Sequence, residues 1–204
     1  MAETAATKSA ALALADERAL MRQGFQFLDE KRMLLAAELL RRLAQHAEQE
    51  AQLVQAMQAA QAALRQALQR HGLEGLSAYP AALPPTPPHT ERATFLAVPM
   101  ISAALPAPPA AGAETAIDAS PEARACRAAF AALLAPLAQL AAGTNNLERL
   151  AAEYRRTERR ARALENVLLP EIELALRTTE GHLEQADQEE AVRILTAGRG
   201  RAGH

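Results

Sequence analysis

The side chains in this sequence that could do chemistry are a set of histidines, one cysteine and two dense charge runs. His46, His71, His89, His182 and His204 are scattered, no HxxxH or paired-cysteine spacing occurs, and the one HxxE, His71 to Glu74, runs across the helix stop at Gly72, so no two ligands share one helical face. A metal ion needs converging donors, so no metal site is expected. Cys126 is the only cysteine, which excludes an intrachain disulfide, a zinc finger and a CxxC redox pair and fits a reducing, cytoplasmic setting. Set among alanines, it reads as a small apolar filler rather than a nucleophile. No P-loop or GxSxG occurs, and the one GxGxxG match, Gly198-Arg-Gly-Arg-Ala-Gly203, lies in the tail after no predicted strand, so neither a nucleotide nor another cofactor is expected, and the chain does not read as an enzyme. Glu184, Asp187, Glu189 and Glu190 read as a solvated helix face.

Two segments say more. Gly24-Phe-Gln-Phe-Leu-Asp-Glu-Lys-Arg-Met-Leu-Leu-Ala-Ala-Glu38 sets the basic pair Lys31 and Arg32 after a small residue and a double-hydrophobe step. Further on, Arg155, Arg156, Arg159, Arg160 and Arg162 form a basic run that passes into apolar residues ending at Pro170. The plainest role for these cations is to solubilise a helix and pair locally, Glu158 with Arg162 at i,i+4. A proline inside a helix costs about 3 kcal/mol, so Pro170 implies a wanted bend.

The elements that must position these residues are helical. Half the residues are hydrophobic but only 3% are aromatic, because alanine and leucine dominate. Those are strong helix formers, and they supply little of the bulk that fills a rounded core. From residue 7 to 71 there is no proline, and Leu14, Met21, Leu28 and Leu35 recur every seven residues. The stripe continues through Leu39, Leu43, Ala47, Leu53, Met57, Ala60, Leu64 and Leu68 to a stop at His71-Gly72. Residues 72–119, with prolines at 80, 84, 85, 87, 88, 99, 106, 108 and 109, predict an irregular insert. Within it Thr94–Val98 reads as a short extended piece and Pro84–Pro88 as polyproline-like.

Ser120-Pro121-Glu122 starts a second helix with a hydroxyl cap, a proline at the first position and an acid at the positive dipole end. It runs over 120–196, with disturbances expected near 136, 143 and 170, and residues 197–204 read as a disordered tail. Its seam is predicted at Leu140, Leu147, Tyr154, Ala161, Leu168, Ala175 and His182, with Leu164 and Ile172 among the companion positions. At about 1.5 Å per residue the two helices reach roughly 95 and 110 Å, and two such narrow seams must cover each other. The expected fold class is all-α: a long antiparallel two-helix coiled coil, a helical hairpin with the proline-rich insert at its turn end. Matching Gly72 to the start of the second helix puts Leu28 level with Val167 and Leu168, and Arg32 level with Ala163 to Glu165. Glu165 beside the seam is then expected to pair with Arg32 across the helices.

Two motifs, one on each helix at a similar height of this hairpin, carry a resemblance. Gly24, Phe27, Leu28, Lys31, Arg32 and Leu35, together with Arg159, Arg160, Ala163, Leu164, Glu165, Val167, Leu169 and Pro170, resemble the D subunit of the V-type and A-type rotary ATPases. The likeness covers both helices, roughly residues 8 to 70 and 140 to 195, in order and spacing. It implies a non-catalytic axle whose paired terminal ends project into a hexamer of catalytic A and B subunits. The other end would bind the F subunit and a membrane-side rotor adaptor, and rotation would couple ATP hydrolysis or synthesis to proton or sodium transport. On that implication Lys31, Arg32, Arg155, Arg156, Arg159 and Arg160 face the hexamer as a basic belt, Glu165 fixes register and Pro170 sets curvature. The sequence departs from the family in its Gly/Arg tail and in its proline-rich middle.

A formal net charge of −2 argues against a nucleic-acid partner. The uncharged stretch Ala93–Ala113 carries Pro99, Pro106, Pro108 and Pro109, so no membrane insertion is expected there, and the location expected is cytoplasmic and peripheral to a membrane. The competing reading is a free-standing coiled-coil scaffold, which explains the heptads but not the paired motifs.

Overall fold

The computed structural model describes residues 7–79, 87–106 and 120–201. Helix α1 covers Lys8–Ser77, strands β1 and β2 cover His89–Phe95 and Val98–Ala104, and helices α2 and α3 cover Pro121–Ala132 and Leu134–Ala163. A π-helical turn, Leu164–Leu168, leads into α4, Leu169–Arg201. The long helices form an all-α helical hairpin, with β1 and β2 the one departure among the described residues. The chain divides into two units, one of Met1–Leu34 with Arg155–His204 and one of Leu35–Tyr154.

The first unit is a helix pair. Leu14, Met21 and Leu28 lie half-buried on α1, and the facing seam is built on Ala161, Ile172 and Leu176, which are 2%, 8% and 4% exposed. Up to Ala161 the seam of the second helix follows the sevenfold spacing. Beyond the π-helical turn it moves on by one residue: Leu176 is buried where Ala175 is exposed, and Leu183 is half-buried where His182 is exposed. A π-turn is a one-residue insertion in a helix, so every later side chain rotates by one position. The turn sits directly ahead of Pro170, whose ring would clash with the carbonyl four residues back in a regular helix. The bend expected at Pro170 therefore takes the form of a widened turn before it.

The antiparallel level within this unit differs from the expected one. A Cβ built on Gly24 would lie 3.8 Å from Leu164 Cδ1, so Gly24 occupies the level assigned to Arg32, about two helical turns away. A seam rich in alanine discriminates weakly between registers, because small side chains interlock little. Arg32 consequently has no Glu165 beside it: it donates to Asp29 on its own helix at 2.6 Å, and Glu165 is exposed. Across the pair Arg22 meets Glu173 at 2.7 Å and Lys8 meets Asp187 at 3.9 Å. The helix α4 runs on through Arg201, past the start of the tail expected to be disordered; residues 202–204 lie outside the described set.

The second unit is thicker. Residues 72–119 were expected to be irregular, yet within them β1 and β2 form an antiparallel hairpin with Phe95 paired to Val98 and His89 to Ala104. The turn, Leu96-Ala97, falls in the middle of the segment read as one extended piece, and both residues have positive φ, 47° and 69°. Consecutive left-handed residues make the tight hairpin turn that ordinarily takes Asn-Gly, so no glycine signal announced it. Each left-handed non-glycine residue costs about 1–2 kcal/mol. The compensation is packing: Leu96 and Phe95 lie against a core of Leu35, Val98, Met100 and Leu150. Leu35 and Leu150 are wholly buried.

Side chains fasten the outer edge of β2 to α3. Asn146, 4% exposed, accepts from Ile101 N–H through Oδ1 at 2.8 Å and donates to Ile101 C=O through Nδ2 at 2.6 Å. Arg149 donates to the Pro99 carbonyl at 3.0 Å. Asn146 thus imitates a neighbouring strand, and the Gly143–Asn146 stretch, expected to disturb the helix, remains helical. Gly143 makes room for His46, whose ring would lie 3.3 Å from an added Cβ and whose Nε2 is 2.9 Å from Thr144 Oγ1. Half-buried Arg42 and His46 occupy the α1 seam here, while Leu43, expected in it, is 53% exposed.

Further along, Leu53, Ala60 and Leu133 make a second small core with Ala129 and Leu140 around it. The disturbance expected near Pro136 falls at Leu133, between α2 and α3, where Leu133 N–H reaches back to Phe130 C=O. At Gly72 the helix α1 breaks, with φ 66° and ψ 176°, a conformation that glycine alone adopts readily. Beside the break His71 Nε2 lies 2.6 Å from Ser120 Oγ, which also accepts from Ala123 N–H as the cap of α2. Arg70 reaches Glu122 at 3.1 Å. Pro84–Thr86 and residues 107–119 of the insert lie outside the described residues.

Candidate functional site

The residues singled out by the sequence all fall in the first unit: Lys31, Arg32, Arg155, Arg156, Arg159, Arg160, Glu165 and Pro170. Helix α3 presents Arg155, Arg156, Arg159 and Arg160 to solvent, around a buried Thr157 that turns inward with Ala161. Among the described residues none of these four arginines has an ion pair. Arg162, by contrast, closes on Glu158 at 2.6 Å within the helix. Lys31 and Arg32 are half-buried on α1, Arg32 held by Asp29. The structure gathers the basic residues in one unit and does not join Arg32 to Glu165.

The apolar surface is the feature that sequence reasoning passed over. On α1, Leu20, Phe27 and Leu34 are 64%, 66% and 55% exposed. They stand one position before the inward residues Met21, Leu28 and Leu35, so the sequence signal was the repeated adjacent pair Leu20-Met21, Phe27-Leu28, Leu34-Leu35. A seam for a single partner helix needs only the second member of each pair. On α4, Leu174, Val192, Ile194 and Leu195 are likewise more than half exposed. On α1, Leu20, Phe27 and Leu34 recur every seven residues and so share one face of the helix.

Little else on the described surface offers chemistry. Among the described residues no group of three His, Cys, Asp or Glu converges to hold a metal. Burial pushes the half-buried Cys126 thiol up, away from its thiolate. The most perturbed carboxylate is Glu38 in the second unit, 13% exposed, which takes Arg41 Nε and Nη2 at 2.8 and 2.7 Å and Arg42 Nε at 2.6 Å. The Arg41 hydrogen bonds, with help from Arg42 and against the cost of burial, hold Glu38 down at about 2. This is a structural clasp within one helix. The helical run from Pro121 contains an 18-residue window of mean hydropathy 1.5, long and apolar enough by composition alone to cross a membrane. The same run packs Leu133 and Leu150 against residues of α1, as a paired helix does.

A paired-helix protein with charge and apolar side chains on its outside belongs to the class of assembly subunits. Within that class, the family model for the D subunit of ATP synthase matches residues 10–198, and the chain belongs to that family. It is a subunit of a rotary ATPase complex. No curated protein matches it.

Proposed function

We propose that this chain is the central-stalk shaft of a V/A-type rotary ATPase, non-catalytic itself, which couples ATP hydrolysis or synthesis in a hexamer of A and B subunits to proton or sodium transport. The observation that carries this reading is the apolar outer face of the first unit, on Leu20, Phe27 and Leu34 of α1 and Leu174, Val192 and Ile194 of α4. A helix pair whose seam is already filled has no use for a second apolar stripe unless something surrounds it. A sleeve of A and B subunits is such a surrounding. The other rotor partners are the F subunit and a membrane-side adaptor, and the chain works on the cytoplasmic side, peripheral to the membrane.

The unpaired arginines refine the mechanism. Arg155, Arg156, Arg159 and Arg160 present long cations on more than one side of α3, and acidic loops of a surrounding hexamer would feel them as the shaft turns, favouring particular angular positions. Pro170, by imposing the widened turn before it, makes the two sides of the pair unlike, which an asymmetric shaft requires.

Co-expression with A and B subunits tests the reading, followed by size exclusion and ATPase assay with and without this chain. One copy should enter each hexamer and change its turnover. A hexamer that assembles but never takes up the chain would leave a free-standing scaffold instead. In the same assembly, Arg155→Gln, Arg156→Gln, Arg159→Gln and Arg160→Gln together should impair coupled activity while helicity stays intact. Unchanged coupling would remove the steering role.

A further inference from the structure

The two edges of the β-hairpin are treated differently. With a two-residue turn, Phe95 and Val98 form the first hydrogen-bonded pair, followed by Ala93 with Met100, Glu91 with Ser102 and His89 with Ala104. The alternate residues turn their backbone groups outward. On β2 these are Pro99, Ile101 and Ala103, and the first two are used: Arg149 takes the Pro99 carbonyl and Asn146 takes both groups of Ile101. Pro99 has no N–H, so it sits at one of the outward positions where none is required for the ladder.

On β1 the outward residues are Thr90, Arg92 and Thr94. Every residue from His89 to Thr94 is exposed, and among the described residues nothing binds the N–H or C=O groups of these three. Among the described residues the edge has no proline, bulge, lysine or covering segment, and its charges are Glu91 and Arg92. Its outer side chains are two β-branched threonines flanking one arginine, a strand-forming pattern that burial does not explain. Arg92 has no carboxylate partner among the described residues, and its cross-strand neighbour is the apolar Ile101.

We propose that β1 is a strand-addition site. An extended segment of a neighbouring subunit of the ATPase complex pairs with Thr90, Arg92 and Thr94, and it sets a carboxylate against Arg92. The inference rests on the chain working inside that assembly. The main-chain hydrogen bonds supply attachment, and Arg92 selects an acidic segment. One edge of the hairpin is spent on α3, and the other is left for the partner.

Hydrogen exchange on the full chain, free and within the purified assembled complex, reads this directly. The amides of Thr90, Arg92 and Thr94 should exchange fast in the free chain and at least about tenfold more slowly in the complex, while those of Ala93 and Phe95 are slow in both. A chain that never enters the complex would overturn the shaft reading and this one together. Entry with the three amides still fast would overturn strand addition alone. Protection already present in the free chain, accompanied by dimerisation, would assign the edge to a second copy and overturn it as well. Arg92→Ala and Arg92→Pro separate side chain from backbone, because proline at this position, as at Pro99, costs no ladder bond. Arg92→Pro should bind the complex about tenfold more weakly than Arg92→Ala, with Ala93 and Phe95 still protected. Equal binding of the two variants would refute the backbone contact.

Discussion

The two units solve the problem of a thin helix pair in opposite ways. The second, Leu35–Tyr154, gains a third layer: the hairpin delivers Val98 and Met100 onto Leu35 and Leu150, and all four side chains are buried. The first, Met1–Leu34 with Arg155–His204, has no such layer and leaves Leu20, Phe27 and Leu174 more than half exposed. Exposed leucines are not confined to the first unit, since Leu40 and Leu73 of the second are 67% and 77% exposed; the difference lies in the added layer. The added layer thus belongs to one stretch of the same two helices and is missing from the other.

The contrast can be broken by removing equal side chains. Leu150→Ala in the thick unit should destabilise by about 3–5 kcal/mol, since a buried core leucine leaves a cavity that rigid neighbours cannot close. Leu176→Ala in the thin unit should cost distinctly less, about 2 kcal/mol, because a two-helix seam can collapse onto the gap. Urea unfolding of each variant measures this, and equal losses would mean that the hairpin contributes no rigidity. Asn146→Ala should cost about 2 kcal/mol by leaving the N–H and C=O of Ile101 without partners at a packed interface. Faster amide exchange at Ile101, with α3 unaffected, is the expected signature.

The Glu38 clasp should appear as acid sensitivity. A carboxyl held at about 2, below the ordinary 4.5, contributes stability that is complete above pH 4.5 and disappears as the pH falls towards 2. Glu38→Gln should lower stability at neutral pH by about 1 kcal/mol, within the range for partly exposed ion pairs, and flatten the loss between pH 4.5 and 2. A wild-type profile as flat as the variant's over that interval would show the clasp to be energetically idle. The smallest effects come from exchanging glycine and alanine. Ala97→Gly should stabilise by about 1 kcal/mol, by relieving an exposed left-handed residue. Gly24→Ala should stabilise by about 0.5–1 kcal/mol, because the added methyl meets only Leu164 at ordinary contact distance inside a helix. Thermal unfolding resolves both, and a loss at Gly24 would mean that the helices approach more closely there than 3.8 Å implies.

The helices were legible because their signal is redundant. Leu14, Met21, Leu28 and Leu35 repeat it every seven residues, and Ser120-Pro121-Glu122 marks a start with three independent cues. The hairpin was not legible, because its turn is Leu-Ala and its two inward residues, Val98 and Met100, flank a proline that normally argues against a strand. Counting hydrophobes also misplaced the α1 seam at Leu43, since Arg42 and His46 occupy the inner positions through hydrogen bonds to Glu38 and Thr144. At Leu164–Leu168 the sevenfold repeat slips by one, so Leu168, Ala175 and His182 were misassigned while the companion Ile172 was not, because one inserted residue leaves no trace in composition. The exposure of Arg155, Arg156, Arg159 and Arg160 was readable from residue type alone. The apolar outer stripe was visible too, as adjacent hydrophobic pairs, but a two-helix template uses only one of each pair.

The turn Leu96-Ala97 also bears on the order of folding. A lone two-stranded hairpin is marginal in water, and this one closes through a turn whose two residues both resist the conformation they adopt. It cannot nucleate itself and must condense onto Leu35 and Leu150 after the helices have met. In kinetic terms the hairpin lies on the late side of the barrier. Damage to it therefore quickens unfolding and leaves the rate of folding nearly untouched. Removing the Val98 or Met100 side chain should accordingly raise the unfolding rate of the second unit while its folding rate stays near that of the wild type.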